Sequence, residues 1–209
     1  MHISVRATRK QKEELLQKGF AENVSVEWLA ENESFNHSAD ALFDLTFNDA
    51  QTSLNNLMDS RLVFANAVNC TCTEINKENY VRINAWTGFL NRSLIEVASC
   101  SEQDKQHAAQ VLDALQWKYI FTPDDYGFIA ARILAMIINE AYFALQENVS
   151  TKQQIDIAMK LGTNYPYGPF EWSEKIGIDK IYLLLKKLSG KNKRYTISDL
   201  LEQETLNKF

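Results

Sequence analysis

Glycine is scarce in this sequence: the 209-residue chain has 7 glycines, about half the usual share in globular proteins. Only Gly19 and Gly88 precede residue 127. A phosphate-binding loop needs several glycines, because positive φ angles and a close approach of the backbone to phosphate both favour residues without a side chain. The sequence therefore excludes a P-loop and an intact G-x-G-x-x-G motif at the start of the chain.

Cysteine and histidine are also few, with three of each. Cys70, Cys72 and Cys100 are an odd number without a framework of spacings. We therefore expect free thiols in a reducing compartment rather than a disulfide-stapled secreted domain. The histidines lie far apart, and Cys70-Thr71-Cys72 has no second pair at a zinc-binding distance, so the sequence predicts no metal site.

The net charge of −5 and the pI of about 5.3 argue against a protein that neutralises a phosphate backbone, so nucleic acid is not an expected partner. The N-terminal segment has no apolar region typical of a signal peptide, which favours a cytoplasmic location. Residues 128–145 are mostly apolar but fall short of the roughly 20 residues of a membrane span, and they contain Arg132, Asn139 and Glu140. We expect no membrane association and read this segment as a helix buried centrally or shared with a second subunit.

The first part of the chain alternates strand-like and helix-like segments, which predicts parallel βαβ units. Predicted strands are residues 3–7, 24–30, 61–68, 81–86, 95–98 and 118–121, with a further apolar stretch at 41–47, and predicted helices are 10–18, 49–59 and 102–115. After residue 122 every segment is helix-like. The fold class is therefore α/β followed by all-α, with a domain boundary near residue 122.

The helical part contains several start and stop signals. Ser150 and Gln153 form a capping-box pattern that opens a helix, and Gly162 suits the left-handed end of that helix. Pro166, Gly168 and Pro169 suggest a rigid turn between helices. Further helices are predicted at residues 179–188 and from about residue 198.

One long motif carries a family resemblance. Residues 156–171, which read DIAMKLGTNYPYGPFE, and the following Gly177-Ile178-Asp179 resemble the C-terminal helical domain of 3-hydroxyacyl-CoA dehydrogenases. Gly127-Phe128-Ile129, Arg132 and Glu140-Ala141 resemble the entry into the same domain, and fainter similarity continues in the same order back to the first strand. The resemblance implies an abbreviated, truncated Rossmann-like domain at residues 1–122 followed by a helical domain at 123–209. Because the apolar segment 128–145 needs more cover than so small a domain supplies, we expect the helical domain to form a homodimer.

The resemblance also assigns catalytic positions. In this family hydride passes between NAD and the 3-hydroxyl carbon of an acyl-CoA, with a histidine base, an orienting glutamate, a serine and an asparagine. Glu96 matches the glutamate, whereas Asn84, Val68 and Ala131 stand at the histidine, serine and asparagine positions. An amide cannot accept the hydroxyl proton near neutral pH, so only Glu96 of the catalytic set is retained.

The cofactor site looks equally altered. Aligning the first strand with the family places Ala7, Arg9 and Lys12 at the three glycine positions, where side chains would meet the pyrophosphate. Glu27 or Glu31 lies near the offset at which an acid would bind the adenosine ribose. After the second strand the chain passes directly to Ala39-Asp40, where the family carries a further helix and strand. NAD is thus implied by the resemblance alone, and we expect no cofactor.

These observations favour a degenerate 3-hydroxyacyl-CoA dehydrogenase homologue that lacks hydride transfer and binds an acyl-CoA or a protein partner. The inherited cleft between the domains is expected to contain Asn84, Glu96 and Ala131, with Trp86 and Phe128 as apolar walls. Two alternatives remain open. One is an active NAD-dependent dehydrogenase of fatty-acid metabolism that uses other residues, and the other is a purely structural dimer.

Overall fold

A computed structural model describes residues 1–35, 38–47 and 61–207 of the chain. The chain forms two compact units, Met1–Phe128 and Ile129–Phe209. The first is an α/β unit and the second is helical, which confirms the predicted fold class. The helix predicted at residues 49–59 lies outside the described residues.

The first unit is built on a seven-stranded sheet with the strand order β2-β1-β3-β4-β5-β6-β7. Neighbouring strands run parallel except β5 and β6, which pair antiparallel. The elements are β1 (His2–Arg6), α1 (Arg9–Lys18), β2 (Ser25–Leu29), β3 (Ala41–Asp44), β4 (Leu62–Ala65), α2 (Cys72–Ile75), β5 (Tyr80–Ile83), β6 (Leu94–Ser99), α3 (Glu102–Ala114) and β7 (Lys118–Phe121).

The central strands β3 and β4 are buried on both faces of the sheet. Phe43 and Phe64 pack into one apolar core with their rings stacked at 4.4 Å between centroids, while Leu42 and Val63 belong to a second core. Strands covered on both sides need continuous apolar runs rather than alternation. This explains the apolar runs of residues 41–43 in β3 and 62–65 in β4.

The strand order reverses at β1, which has β2 on one side and β3 on the other. In the common Rossmann order a further strand lies outside β2, but among the described residues β2 is the edge of the sheet. In sheets of this type ligands bind at the carboxyl ends of the strands, where the order reverses. The ends of β1 and β3 are therefore the positions to inspect for a nucleotide.

The second unit consists of helices joined by short turns. They are α4 (Ala130–Gln146), α5 (Lys152–Thr163), α6 (Pro169–Ile176), α7 (Ile178–Lys191) and α8 (Asp199–Leu206), with a 3-10 turn at Lys193–Tyr195. Within the described part of the chain, no helix combines the length and apolar character needed to cross a membrane.

The ends of α5 differ from the predicted ones. Thr151 rather than Ser150 caps the helix, because its side chain accepts a hydrogen bond from the Gln154 amide. Gly162 lies inside the helix, and Asn164 adopts the left-handed conformation at its end, with φ of 55°. Asparagine tolerates this conformation better than most residues, so the predicted glycine stop was wrong.

The predicted turn around Pro166 and Gly168 opens directly into a helix, α6, which the sequence reading missed. Pro169 occupies the first helical position, where its missing N–H costs nothing. The Asp156 carboxylate accepts hydrogen bonds from the amides of Phe170 (2.8 Å) and Glu171 (3.3 Å). Burial raises the pKa of Asp156, and the two amide donors counteract this shift.

The cysteines also depart from the prediction. Cys72 and Cys100 form a disulfide with their Cα atoms 5.2 Å apart, and buried Cys70 keeps its thiol. The expectation of free thiols throughout was therefore wrong. The antiparallel register pairs Val81 with Ser99, so the segments just outside this pair, which carry both cysteines, meet at one end of β5.

Replacing Gly168 should test the cap of α6. A Cβ at this position would collide with the Asp156 carboxylate, so Gly168→Ala should lower the free energy of unfolding by about 1–3 kcal/mol. The matched control is Gly162→Ala, because no atom lies within 4 Å of a Cβ there. Since glycine is unfavourable inside a helix, this control should gain about 0.5–1 kcal/mol. Denaturant unfolding measures both, and equal effects would contradict the proposed cap.

Candidate functional site

Asn84 and Glu96, which the sequence assigned to the histidine and glutamate positions, lie side by side in the structure. Asn84 follows β5 directly and Glu96 lies in β6, where the register that pairs Ile83 with Val97 places the two residues opposite each other. Asn84 Nδ2 donates to Glu96 Oε2 at 2.9 Å, and the Asn84 amide donates to the Glu96 carbonyl at 3.2 Å. The antiparallel strand pair therefore fixes this contact.

The side-chain oxygen of Asn84, Oδ1, differs from Nδ2 because it has no hydrogen-bond donor among the described residues. Only 3% of Asn84 is exposed, and among the described residues no group donates a hydrogen bond to Oδ1. A buried carbonyl oxygen without a donor costs about 1–3 kcal/mol. Because Nδ2 is held by the Glu96 carboxylate, Asn84 presents its Oδ1 as a hydrogen-bond acceptor at the position that the resemblance gives to a histidine.

A network of amide side chains closes the carboxyl edge of the sheet next to this pair. Gln11 Nε2 donates to the carbonyls of Leu45 (2.7 Å) and Ala85 (3.1 Å). Asn66 donates to the same Leu45 carbonyl (3.1 Å) and accepts from the Ala85 amide (3.0 Å). The network ties α1 to the segments that follow β3, β4 and β5.

The N-terminus of α1 is closed by its own side chains. The Thr8 side chain accepts from the Gln11 amide, and Gln11 Oε1 accepts from the Thr8 amide at 3.0 Å. Free amides at a helix N-terminus are what a phosphate group would bind. Here the capping box satisfies part of that set within the protein.

An ion pair crosses the point where the strand order reverses. Arg6, at the end of β1, donates from Nε (3.2 Å) and Nη2 (2.5 Å) to the two carboxylate oxygens of Asp44, at the end of β3. The Asp44 side chain is fully buried, and the Arg6 guanidinium also lies 4.5 Å from the centroid of the Phe35 ring. The residues at this crevice thus bind one another, and they do not fit a dinucleotide.

The residues predicted at the glycine positions do not contact this crevice through their side chains. Arg9 pairs with Glu13 and has 92% of its side chain exposed. Lys12 lies over the Trp28 ring at 5.0 Å. Ala7 follows β1 and is half-buried.

The structure favours an alignment in which the three glycine positions of the motif lie one residue earlier in the chain than predicted. The third glycine of the motif allows close packing of helix and strand, and the buried residue in the first turns of α1 that takes this position is Gln11. The spacing then places Arg6 and Thr8 at the first two positions. Gln11 lies four residues before the apolar Leu15 and so shares its face of the helix. This spacing was the signal in the sequence that could have placed Gln11 against the sheet.

The two acids considered for the ribose have different surroundings. Glu27 accepts a hydrogen bond from buried Ser4 at 3.0 Å, whereas Glu31 is exposed. Neither borders a phosphate-binding loop. Among residues 1–35, 38–47 and 61–207 no group of three or more histidines, cysteines and acids could hold a metal ion.

The remaining predicted cleft residues are all buried. Val68 accepts a hydrogen bond at its carbonyl from the Gly127 amide at 2.8 Å, and Trp86 is enclosed in the first unit. Phe128 has a left-handed backbone with φ of 50°. Ala131 lies in the first turn of α4, in the second unit. Of the predicted set, the structure brings Asn84 and Glu96 into contact.

Sequence reasoning missed a buried arginine. Arg82 in β5 has no exposed side chain, pairs with Asp124, and donates to the carbonyls of Ala67 and Asp125, both at 3.0 Å. Burial lowers the pKa of Arg82, and Asp124 opposes the shift. Its guanidinium lies 4.8 Å from the centroid of the Phe128 ring. Arg82 lies between two β-branched residues, and this local pattern does not indicate which acid it pairs with, because Asp124 is distant in the sequence.

The fold is a Rossmann-like α/β unit followed by a helical unit. Residues 127–208 match the family described as 3-hydroxyacyl-CoA dehydrogenase, C-terminal domain. The match covers most of the second unit, which is therefore similar to the C-terminal domain of this family.

Individual relatives agree with this assignment. The chain is 45% identical over 94 residues to 3-hydroxyadipyl-CoA dehydrogenase of Escherichia coli, and 39% identical over 77 residues to 3-hydroxybutyryl-CoA dehydrogenase of Clostridioides difficile. These matches cover 44% and 36% of this chain but only 20% and 27% of the relatives. The strong similarity is thus confined to a fraction of each relative.

Solved structures extend the likeness to the whole fold. (S)-3-hydroxybutyryl-CoA dehydrogenase from Ralstonia eutropha superposes with a TM-score of 0.78 at 14% identity, covering 100% of this chain and 94% of the other. The 3-hydroxybutyryl-CoA dehydrogenase of Escherichia coli K12 gives a TM-score of 0.53 at 35% identity, over 61% and 27% of the two chains. At 14% identity the first comparison establishes the fold alone.

NADH binding should test the closed crevice. Arg6 is paired with Asp44, and Thr8 with Gln11. We therefore expect no saturable change in NADH fluorescence when NADH is titrated with the protein. An active 3-hydroxyacyl-CoA dehydrogenase measured in the same buffer is the positive control. Saturable binding in the micromolar range would show that the ion pair and the capping box open for a dinucleotide.

Proposed function

We propose that this chain is a member of its family that does not transfer hydride and acts by binding an acyl-CoA or a related acyl group. The observation that carries the proposal is the contact of the Asn84 amide with Glu96 where the resemblance places a histidine. The pair leaves a buried acceptor, Asn84 Oδ1, that no described group satisfies.

The amide supports binding without proton transfer. A ligand hydroxyl can donate to Asn84 Oδ1, which would remove the cost of the unsatisfied oxygen. The same oxygen is too weak a base to take the proton near neutral pH, so oxidation of the hydroxyl would lack its general base. A 3-hydroxyacyl group is therefore the ligand class that best matches this acceptor.

The crevice at the ends of β1 and β3 supports the same proposal. Hydride transfer needs a bound nicotinamide, and the residues there satisfy one another through the Arg6–Asp44 pair and the Thr8–Gln11 cap. A cytoplasmic location is part of the proposal and follows only from the sequence.

A comparison of two ligands tests binding at Asn84. 3-Hydroxybutyryl-CoA at about 100 times its dissociation constant should stabilise the protein by roughly 2.7 kcal/mol, which thermal unfolding measures. Asn84→Ala should weaken this ligand by about fivefold to tenfold, the value of one hydrogen bond of about 1 kcal/mol. Butyryl-CoA, which lacks the hydroxyl, should lose much less.

Asn91→Ala is the matched control, because Asn91 is an exposed amide that bonds Gln17 at the surface. It should leave the affinity for both ligands unchanged. Stabilisation by neither ligand would exclude the binding proposal and favour a purely structural protein. Consumption of NADH with acetoacetyl-CoA would instead establish the active-enzyme alternative.

We also propose that the helical unit forms a homodimer. Supporting this, apolar side chains on α4 and α5 are exposed in the single chain, with Ile133 at 54% and Leu161 at 83%. Leu161→Glu should weaken a dimer by at least about tenfold, because a buried leucine contributes about 1.5–3 kcal/mol. Leu16→Glu, on exposed α1, is the control. Sedimentation equilibrium measures both, and a monomer for the unmodified chain would reject the dimer.

A further inference from the structure

A polar groove of about 720 Å³ lies beside the Cys72–Cys100 disulfide in the first unit. This volume falls within the roughly 300–1,000 Å³ of small-molecule sites. Both cysteines line the groove, together with polar residues from the end of α2 and the start of α3, including Asn76, Lys77 and Gln103. The lining residues include no aliphatic or aromatic side chain, so the groove suits a hydrophilic ligand.

The two cysteines of the disulfide differ in exposure. Cys100 is exposed, whereas Cys72 is buried at 9% exposure at the start of α2. Thiolates attack disulfides at the sulfur they can reach, and the other sulfur leaves. An incoming thiolate from the groove therefore reaches Cys100, and Cys72 becomes the leaving thiol.

We propose that the Cys72–Cys100 disulfide is a thiol–disulfide exchange site for a small hydrophilic thiol such as a cysteine-containing peptide. The thiolate forms a bond with Cys100 Sγ, the Cys72–Cys100 bond breaks, and the Cys72 thiolate takes up a proton. A second thiolate can then attack the peptide sulfur of this mixed disulfide, the bond to Cys100 breaks, and the Cys100 thiolate takes up a proton. The net change is oxidation of two external thiols to one disulfide and reduction of the protein by two electrons.

Other contacts hold α2 in place when the disulfide opens. The Cys72 amide donates to both carboxylate oxygens of Asp124, at 3.0 and 2.9 Å. Tyr126 donates from its hydroxyl to Glu74 in the same helix at 2.9 Å. These bonds do not involve the sulfurs, so the groove keeps its walls in the opened state and can retain the mixed disulfide.

Glutathione is the probe for this site, and mass spectrometry of the folded protein is the readout. The oxidised protein, alkylated under denaturing conditions without reductant, should show one thiol, Cys70. After incubation with glutathione at neutral pH, the native protein should carry one glutathionyl group on Cys100. Circular dichroism should stay unchanged, because α2 remains bound through Asp124 and Tyr126.

Three serine variants separate the roles of the cysteines. Cys72→Ser is tested with glutathione disulfide and should carry one glutathionyl group on Cys100, because the Cys100 thiolate attacks that disulfide, glutathione leaves, and no Cys72 thiol remains to displace the adduct. With reduced glutathione, Cys100→Ser should form no adduct, and Cys70→Ser should form the same adduct as the unmodified protein. The proposal is wrong if all three thiols alkylate before reduction, if the adduct forms on Cys70 or Cys72, or if the native disulfide resists excess glutathione.

Discussion

The ion pair between Arg6 and Asp44 is the contact on which the first unit depends. Asp44 is fully buried at the end of β3, and a buried carboxylate is tolerated only with a well-placed partner. The two-pronged geometry of arginine satisfies both of its oxygens. Because β1 and β3 meet where the strand order reverses, the same contact closes the position at which sheets of this kind hold their ligands.

The neighbouring polar contacts follow a common pattern. Gln11 and Asn66 supply side-chain donors and acceptors to backbone groups at the ends of the strands. Buried polar groups must be paired, and here the chain pairs them itself. Asn84 departs from this pattern, since one of its two polar atoms is bound by Glu96 and the other is not. That contrast is why the binding proposal is centred on Asn84.

Much of the fold could be predicted because burial on both faces leaves continuous apolar runs, as in β3 and β4, and because Gly19 ends α1 as expected. The family resemblance also placed Asn84 and Glu96 in the same predicted cleft, although it did not predict their contact. What could not be predicted depends on distant parts of the chain. The start of α6 is stabilised by Asp156, and the disulfide joins residues 28 apart that only the β5–β6 pairing brings together. Local sequence patterns at Pro169 or Cys72 contain no information about those partners.

The capping box of Thr8 and Gln11 has a consequence for how the protein is maintained. Enzymes that bind a nucleotide tightly gain folding free energy in proportion to the logarithm of its concentration, so their abundance can follow metabolic supply. Here the groups that fill the crevice are side chains of the protein itself, so their local concentration does not vary with the concentration of any metabolite. On the proposal that this crevice binds no nucleotide, the folding free energy of this chain should not change with the nicotinamide pool.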